Sequence, residues 1–368
     1  MKVMHVFISM PVGGAEDLVL SILRNTSASA PAEAVCLGDL GVAGAEAVQA
    51  GLSVHHLPVV SKKRFQPLAV LKLAKWLRAQ NVDVVHSHVY NAHVYAVLAA
   101  RLAGIPAVMH HHKTFNRERR RRWWIMRRLA ERTAAQIALS EQTRMDLIDA
   151  LKLSPQTCSV VSNTVDDSLF MGVADKRAAK RLVGLIEDRP WIGGIASLSP
   201  QKNHAATIRM MDILVRGGCE ASAVICGEGN TRAVLQTEID RLQLGSRLRL
   251  AGNQRPIAPW LQAFDVLVLP SSWEGQPMVL LQALACDIPV VASDIEGNIA
   301  TLGEGHPGLF PLDDMTTYAA RVRACLEDSA FRDSILTHQR LQWARQPRMR
   351  DYVAALTAVY DRVARSKT

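Results

Sequence analysis

The sequence predicts an α/β protein made of two doubly wound parallel sheets, one in each half. Short apolar runs alternate with longer helical patterns along the chain, and the runs are near-continuously apolar, as in strands covered on both faces. A length of 368 residues is also more than one core usually supports. The expected division is 1–170, a linker at 171–190, a second domain at 191–345 and a C-terminal helix at 346–368.

In the first half the strands are "VMHVFIS", "AEAVCLG", "DVVHSHV", "PAVMHHH" and "AAQIALS", separated by helical segments such as "LAVLKLAKWLRAQ" and "AHVYAVLAARLAG". The stretch from Val165 to Pro190 is charged and lacks a strand pattern, which places the linker there. The second half repeats the rhythm with "WIGGIAS", "ASAVICGEG", "RLRLAG", "DVLVLPS" and "IPVVAS", and "RDYVAALTAVYDRVARS" reads as a final helix. Ligands of such sheets bind outside the carboxyl ends of the strands, so a cleft between the halves is the expected site.

With 49% hydrophobic and 21% charged residues the composition is that of a folded globular protein. The opening "MKVMHVFISMPVGG" has too short an apolar run for a signal peptide and reads as the first strand. No run approaches the roughly 18 to 20 apolar residues that span a bilayer. Cys36, Cys158, Cys219, Cys226, Cys286 and Cys325 have no paired spacing, which suits reduced thiols in the cytoplasm.

The formal charge of +9 is concentrated in "KTFNRERRRRWWIMRRLAERTA", from Lys113 to Ala134. Read as one helix, it carries Arg on one side and Trp123, Trp124, Met126 and Leu129 near the other. Such a helix could lie on anionic lipid through Lys113 to Arg132, or be a solvated amphipathic helix whose Trp residues pack on the sheet. No nucleic-acid module accompanies it.

Three stretches carry candidate chemistry. In "MPVGGAEDLV", Gly13 and Gly14 follow the first strand and open a helix, whose exposed amides attract negative charge. Neither G-x-G-x-x-G nor a P-loop is present, so nicotinamide and P-loop chemistry lose support. In "SLSPQKNHAATI", Lys202 sits near a helix start as a mobile cation suited to a diphosphate. In "DVLVLPSSWEGQPMVLLQALA", Glu274 and Gly275 lie at a strand's carboxyl end, Pro277 opens a helix, and the amides of Gln276 to Val279, Met278 included, could donate to a ligand whose hydroxyls Glu274 accepts. Gln282 lies farther into that helix. The alternating His86 and His88, with His110 to His112 nearby, could assemble imidazole ligands; lining a cleft as neutral groups explains them equally well, and no metal site is expected.

Together "VGGAE", "DVVHSH", "AARLAGIPAVMHHH", "ALSEQTR", "VVSNTVD", "LSPQKNH", "VICGEG" and the run from Ala251 to Gly297 resemble the GT-B fold glycosyltransferases of family 4 over nearly the whole chain. The resemblance implies a retaining, metal-independent transferase using a nucleotide-diphosphate sugar and no cofactor. It also implies an acceptor-binding first domain, a donor-binding second domain and a last helix returning to the first. Glu274 matches the first acid of the family's E-x7-E motif, beside the transferred sugar, and His112 matches the His at the end of the third or fourth strand that faces it. Lys202 matches the diphosphate-binding Lys, while its usual companion Arg falls at Ser197. Gly14 matches the glycine beside the phosphate, and the base is expected near Asn253, Gln254 and Arg255.

Gln282 takes the place of the second acid, which in the family holds the ribose hydroxyls. An amide keeps one accepted and one donated hydrogen bond but loses the charge-assisted form, for about 1 kcal/mol or several-fold in donor affinity. Gln also repels the donor's phosphates less, which could offset the missing Arg. The resemblance further implies same-face attack by the acceptor hydroxyl, with the leaving diphosphate taking its proton. The expected partners are a nucleotide-sugar, UDP-sugar first among them, and a glycan or lipid-linked acceptor of cell-surface polysaccharide or lipopolysaccharide synthesis, at the inner face of the cytoplasmic membrane. Two other readings stand beside it: a sugar-nucleotide binder without turnover, for which Gln282 and Ser197 are the motive, and a sugar-nucleotide epimerase, which would need further cleft carboxylates.

Overall fold

The structure, a computed structural model, describes residues 1–26, 31–61, 64–112, 120–170 and 175–365. Two compact units result: Met1–Thr164 with Pro347–Thr368, and Val165–Gln346. In the first unit the elements are β1 (Val3–Phe7), α1 (Gly14–Asn25), β2 (Ala32–Cys36), α2 (Gly41–Gln49), β3 (Val54–His56), α3 (Pro67–Ala79), β4 (Val84–His88), α4 (Tyr90–Ala103), β5 (Ala107–His110), α5 (Arg120–Ala130), β6 (Ala135–Ala138), α6 (Glu141–Leu151) and β7 (Cys158–Val160). The second has α7 (Lys176–Leu182), β8 (Trp191–Ile195), α8 (His204–Arg216), β9 (Ser222–Cys226), α9 (Arg232–Arg241), β10 (Leu248–Gly252), α10 (Ala258–Ala263), β11 (Val266–Leu269), α11 (Met278–Ala285), β12 (Val290–Ser293), α12 (Glu296–Leu302), β13 (Leu309–Phe310), α13 (Met315–Glu327) and α14 (Ser329–Arg345). Helix α15 (Met349–Arg365) belongs again to the first unit, where it packs on α1 and β4.

Among the described residues both sheets are parallel, in the orders β3-β2-β1-β4-β5-β6-β7 and β10-β9-β8-β11-β12-β13. Each is doubly wound, reversing direction between β1 and β4 and between β8 and β11. Local chemistry sets the helix ends. Pro67 begins α3, Ser140 Oγ accepts from Thr143 N at the start of α6, and Gly104 takes the left-handed conformation after α4.

Alternation along the central strands of the first unit splits the sheet into two chemistries. Met4, Val6, Val85 and Met109 face α3, α4 and α5 in an apolar core, while His5, His86, His88 and His110 stand on the other face, all buried. Tyr360 of α15 reaches that second face, 2.5 Å from His86 Nδ1.

Three features differ from the sequence expectation. The short edge strand β3 carries no apolar run, so the strand before His112 is the fifth in the chain rather than the third or fourth, and β7 and β13 are only three and two residues long. The described part of 171–190 contains α7, capped by Asp175 and packed on α10 within the second unit, with Ala179 fully buried; its charge is the solvent side of a docked helix. The basic helix runs over Arg120–Ala130, and Lys113–Arg119 lie outside the described residues. There Met126 and Leu129 are buried, but Trp124 is 63% exposed, because a neighbour one step along a helix lies about 100° away from Trp123.

Candidate active site

In the second unit, the loops that follow β8 and β11 flank the point where strand order reverses, the ligand crevice of an open α/β sheet. The β8 loop tightens into a turn at Pro200–Lys202 before α8. It rests on the β9 loop: Leu198 N donates to Glu228 O at 2.9 Å, and a Cβ at Gly227, whose φ is 154°, would lie 1.9 Å from Ala196 O. No side chain fits there.

The β8 turn also grips the β11 loop. Ser272 N donates to Gln201 O at 2.8 Å, and Gln201 Nε2 donates to Trp273 O at 2.8 Å and to Glu274 Oε2 at 3.4 Å. Lys202 Nζ lies 2.5 Å from Glu274 Oε1. Both carboxylate oxygens of Glu274 are therefore engaged, and its side chain is 7% exposed against 18% for Lys202. From behind, Ser293 Oγ donates to Ser271 O at 2.6 Å and Asn298 Nδ2 holds Ser293 O at 2.9 Å. A Cβ at Gly297 would lie 2.5 Å from Glu274 O, so the start of α12 abuts the loop backbone.

Gly275, Gln276 and Pro277 complete the turn into α11, whose first residues are Met278 and Val279. The first amides of a helix lack intrahelical acceptors and point toward whatever sits before it. Gln282, in the second turn, is buried. Asn253 and Gln254 follow β10 at the sheet edge, where Gln254 Nε2 donates to Ala251 O at 2.7 Å. They share the carboxyl edge with Lys202 and Glu274 but are separate from that pair. Ser197, the position at which the resemblance expects an Arg, is exposed.

In the first unit the strands at the reversal point, β1 and β4, carry a histidine chain. His5 Nδ1 is 2.8 Å from His88 Nε2, and His88 Nδ1 is 2.8 Å from His112 Nε2. Burial lowers His5 to about 3 and holds His86, His88 and His110 well below the ordinary imidazole value, so all are neutral at pH 7. A neutral imidazole has one N–H and one lone pair, so the tautomers are coupled. If His5 donates to His88, His88 donates to His112, and the reverse direction holds as a set.

His5, His86 and His88, and likewise His88, His110 and His112, offer ring nitrogens within 4.8 Å of one another. Neutral imidazoles so grouped could hold a cation, although His88 already spends both nitrogens on hydrogen bonds. At the start of α1, Gly13 is extended, a conformation open to any residue, and Glu16 and Asp17 occupy the first helical turn. Two carboxylates there already complement the helix dipole.

Sequence reasoning missed Gln201, Ser293, Asn298 and Gly297, which shape the Glu274 loop through long-range contacts. It also missed His5 and Tyr360. Val89, between β4 and α4, has φ 59° and ψ 155°, an outlier for a β-branched residue at the reversal point, and nothing in its side chain signals that.

The sequence pattern described as Glycosyltransferase Family 4 matches residues 12–169, and that described as Glycosyl transferases group 1 matches residues 175–341. The chain is 29% identical over 262 residues to the UDP-Gal:alpha-D-GlcNAc-diphosphoundecaprenol alpha-1,3-galactosyltransferase of Escherichia coli, covering 68% of each chain. It is 28% identical over 338 residues to the phosphatidyl-myo-inositol mannosyltransferase of Mycolicibacterium smegmatis, covering 87% of this chain and 83% of that one. Anabaena HepE, solved in complex with UDP and glucose, has the same fold, with a TM-score of 0.86 at 20% identity over 98% of this chain and 99% of that one. Two adjoining family patterns carried on two doubly wound sheets place this chain among the family 4 glycosyltransferases of GT-B fold.

Proposed function

We propose that the protein moves a sugar from a UDP-sugar to a glycan or lipid-linked acceptor in cell-surface polysaccharide or lipopolysaccharide synthesis, with retention of configuration and without a metal. The observation that carries this reading is the Lys202–Glu274 pair beside the first turn of α11. A diphosphate at that turn would share Lys202, and Glu274 would accept from a hydroxyl of the transferred sugar. As the bond from the anomeric carbon to the diphosphate oxygen breaks, Lys202 and the α11 amides offset the growing negative charge. The acceptor oxygen bonds to the same carbon on the same face, and its proton passes to the departing diphosphate. Gly14 is assigned to the phosphate and His112 serves as a hydrogen-bonding group toward substrate. UDP is favoured because UDP appears in the names of the Escherichia coli relative and the HepE complex. The two relatives' lipid-linked and phosphoinositide names, with the basic α5, favour a lipid-linked acceptor at the inner face of the cytoplasmic membrane.

The test is calorimetric titration with UDP, GDP and ADP, with and without EDTA. Saturable binding of UDP alone, unchanged by EDTA, is expected; no nucleotide binding would overturn the assignment. UDP binding without sugar transfer to any acceptor would favour the binder without turnover, the reading that Gln282 and Ser197 motivate.

A further inference from the structure

A second cavity in the first unit has a chemistry that the donor site does not explain. It encloses about 1240 Å³ on the apolar side of the sheet, among α4, α5 and the loops after β1, β2 and β3. Val94 and Leu98 of α4 and Ile125 and Leu129 of α5 form its apolar wall. Ile8, Gly38 and Tyr90, each just beyond a strand or at a helix start, put its mouth at the carboxyl edge of β1, β2 and β4. That is the edge where ligands of such sheets bind.

The rim differs from the wall. Phe65 and Trp124 are 51% and 63% exposed, large apolar groups left in water at the opening. Arg128 and Arg132 also line the cavity, with Arg128 5.7 Å over the Trp124 ring. Glu131 lies between them at 3.2 and 3.9 Å and is also 3.8 Å from Arg127, so one carboxylate answers three cations. Asp39, His56, Ser61, Asn91 and Tyr95 line the rest of the cavity, so an apolar chain is suited to the α4–α5 wall alone, away from these polar groups. An apolar chain ending in an anionic group matches both parts.

We propose that this cavity receives the apolar chain of an amphiphilic, phosphate-bearing acceptor, with the phosphate on Arg128 and Arg132. The inference deepens the reading of a lipid-linked acceptor given above and rests on it. The acceptor's reactive end is then held at the strand edge by its lipid.

The probe is a series of monoalkyl phosphates, hexyl to dodecyl, titrated below their aggregation concentrations. Each methylene buried should tighten binding about fourfold until the cavity is full. Leu98→Trp, which narrows the cavity at its α4 wall, should end the chain-length dependence at a shorter chain, and Arg128→Ala with Arg132→Ala should weaken every chain length alike. Urea unfolding followed by hydrogen exchange in the first unit reports whether the same variants fold. Affinity independent of chain length, or an unchanged dependence in a folded Leu98→Trp variant, would overturn the proposal. So would adsorption to anionic vesicles without any chain-length dependence, which would make α5 a membrane surface contact only. If UDP fails to bind the native chain while the alkyl series behaves as stated, the donor assignment falls and the cavity stands.

Discussion

Lys202 Nζ and Glu274 Oε1 lie 2.5 Å apart although 72 positions separate them in the chain. The pair is built by the two loops flanking the reversal between β8 and β11, and Gln201 locks those loops together through the backbone. Cation and carboxylate are therefore placed by the sheet rather than by each other.

Replacing Lys202 with Ala is expected to weaken UDP binding ten- to a hundredfold, the range of about 1.5–3 kcal/mol for a hydrogen bond to a charged group. It also leaves the buried Glu274 without its cation, so the unfolding midpoint should drop. Glu274→Gln should lower kcat while moving the UDP Kd by less than about threefold. Calorimetry with steady-state kinetics separates the two; equal losses in binding from both variants would contradict distinct roles.

Gln282 is buried, so a carboxylate there would be desolvated close to where the phosphates are assigned. Gln282→Glu alone should leave UDP affinity within about threefold, the gain at the ribose being offset. With Ser197→Arg added at its exposed position, binding should tighten about tenfold. A tightening by Gln282→Glu alone with turnover intact would show that the Gln offsets nothing.

The buried histidines make the first unit acid-sensitive. Burial lowers His5 to about 3 and His111 to about 4, and holds His86, His88, His93 and His110 well below the usual value. The unfolded chain titrates near 6.5, so stability is complete above that pH and is lost as pH falls, when only the unfolded chain takes up protons. One unit below, each such histidine costs about 1.4 kcal/mol. Burial lowers His204 and His306 of the second unit to about 4 as well, two groups against six. Hydrogen exchange on the full chain should show the first unit losing protection more steeply between about pH 6 and 5. Equal loss in both units would refute this.

Tyr360→Phe removes the partner of a fully buried imidazole nitrogen, at about 1–3 kcal/mol. Urea unfolding should report the loss, while the UDP Kd stays unchanged. A silent substitution would mean that the Tyr360–His86 hydrogen bond contributes nothing to holding α15.

The doubly wound sheets were legible because buried parallel strands must be apolar throughout, and ten of them could be named from their sequence runs. The edge strand Val54–His56 has two histidines and only one apolar residue, so no run marked it. Glu274 and Lys202 were legible as charged residues just past strands, where few structural reasons exist for them. Gln201, Gly297 and Tyr360 were not, since each matters through a partner distant in sequence: the Glu274 loop for the first two, His86 for the third. Trp124 misled because composition places aromatics in cores, whereas the helix phase decides which neighbour stays in water.

The return of α15 to the first unit also orders events during synthesis. His86 waits 274 residues for Tyr360, so the first unit begins before the second on the ribosome and is completed after it. The second unit, Val165–Gln346, is whole as soon as it emerges. Until residues 347–365 arrive, the imidazole face of the first sheet lacks its cover, and that nascent intermediate is the one a chaperone or protease would meet.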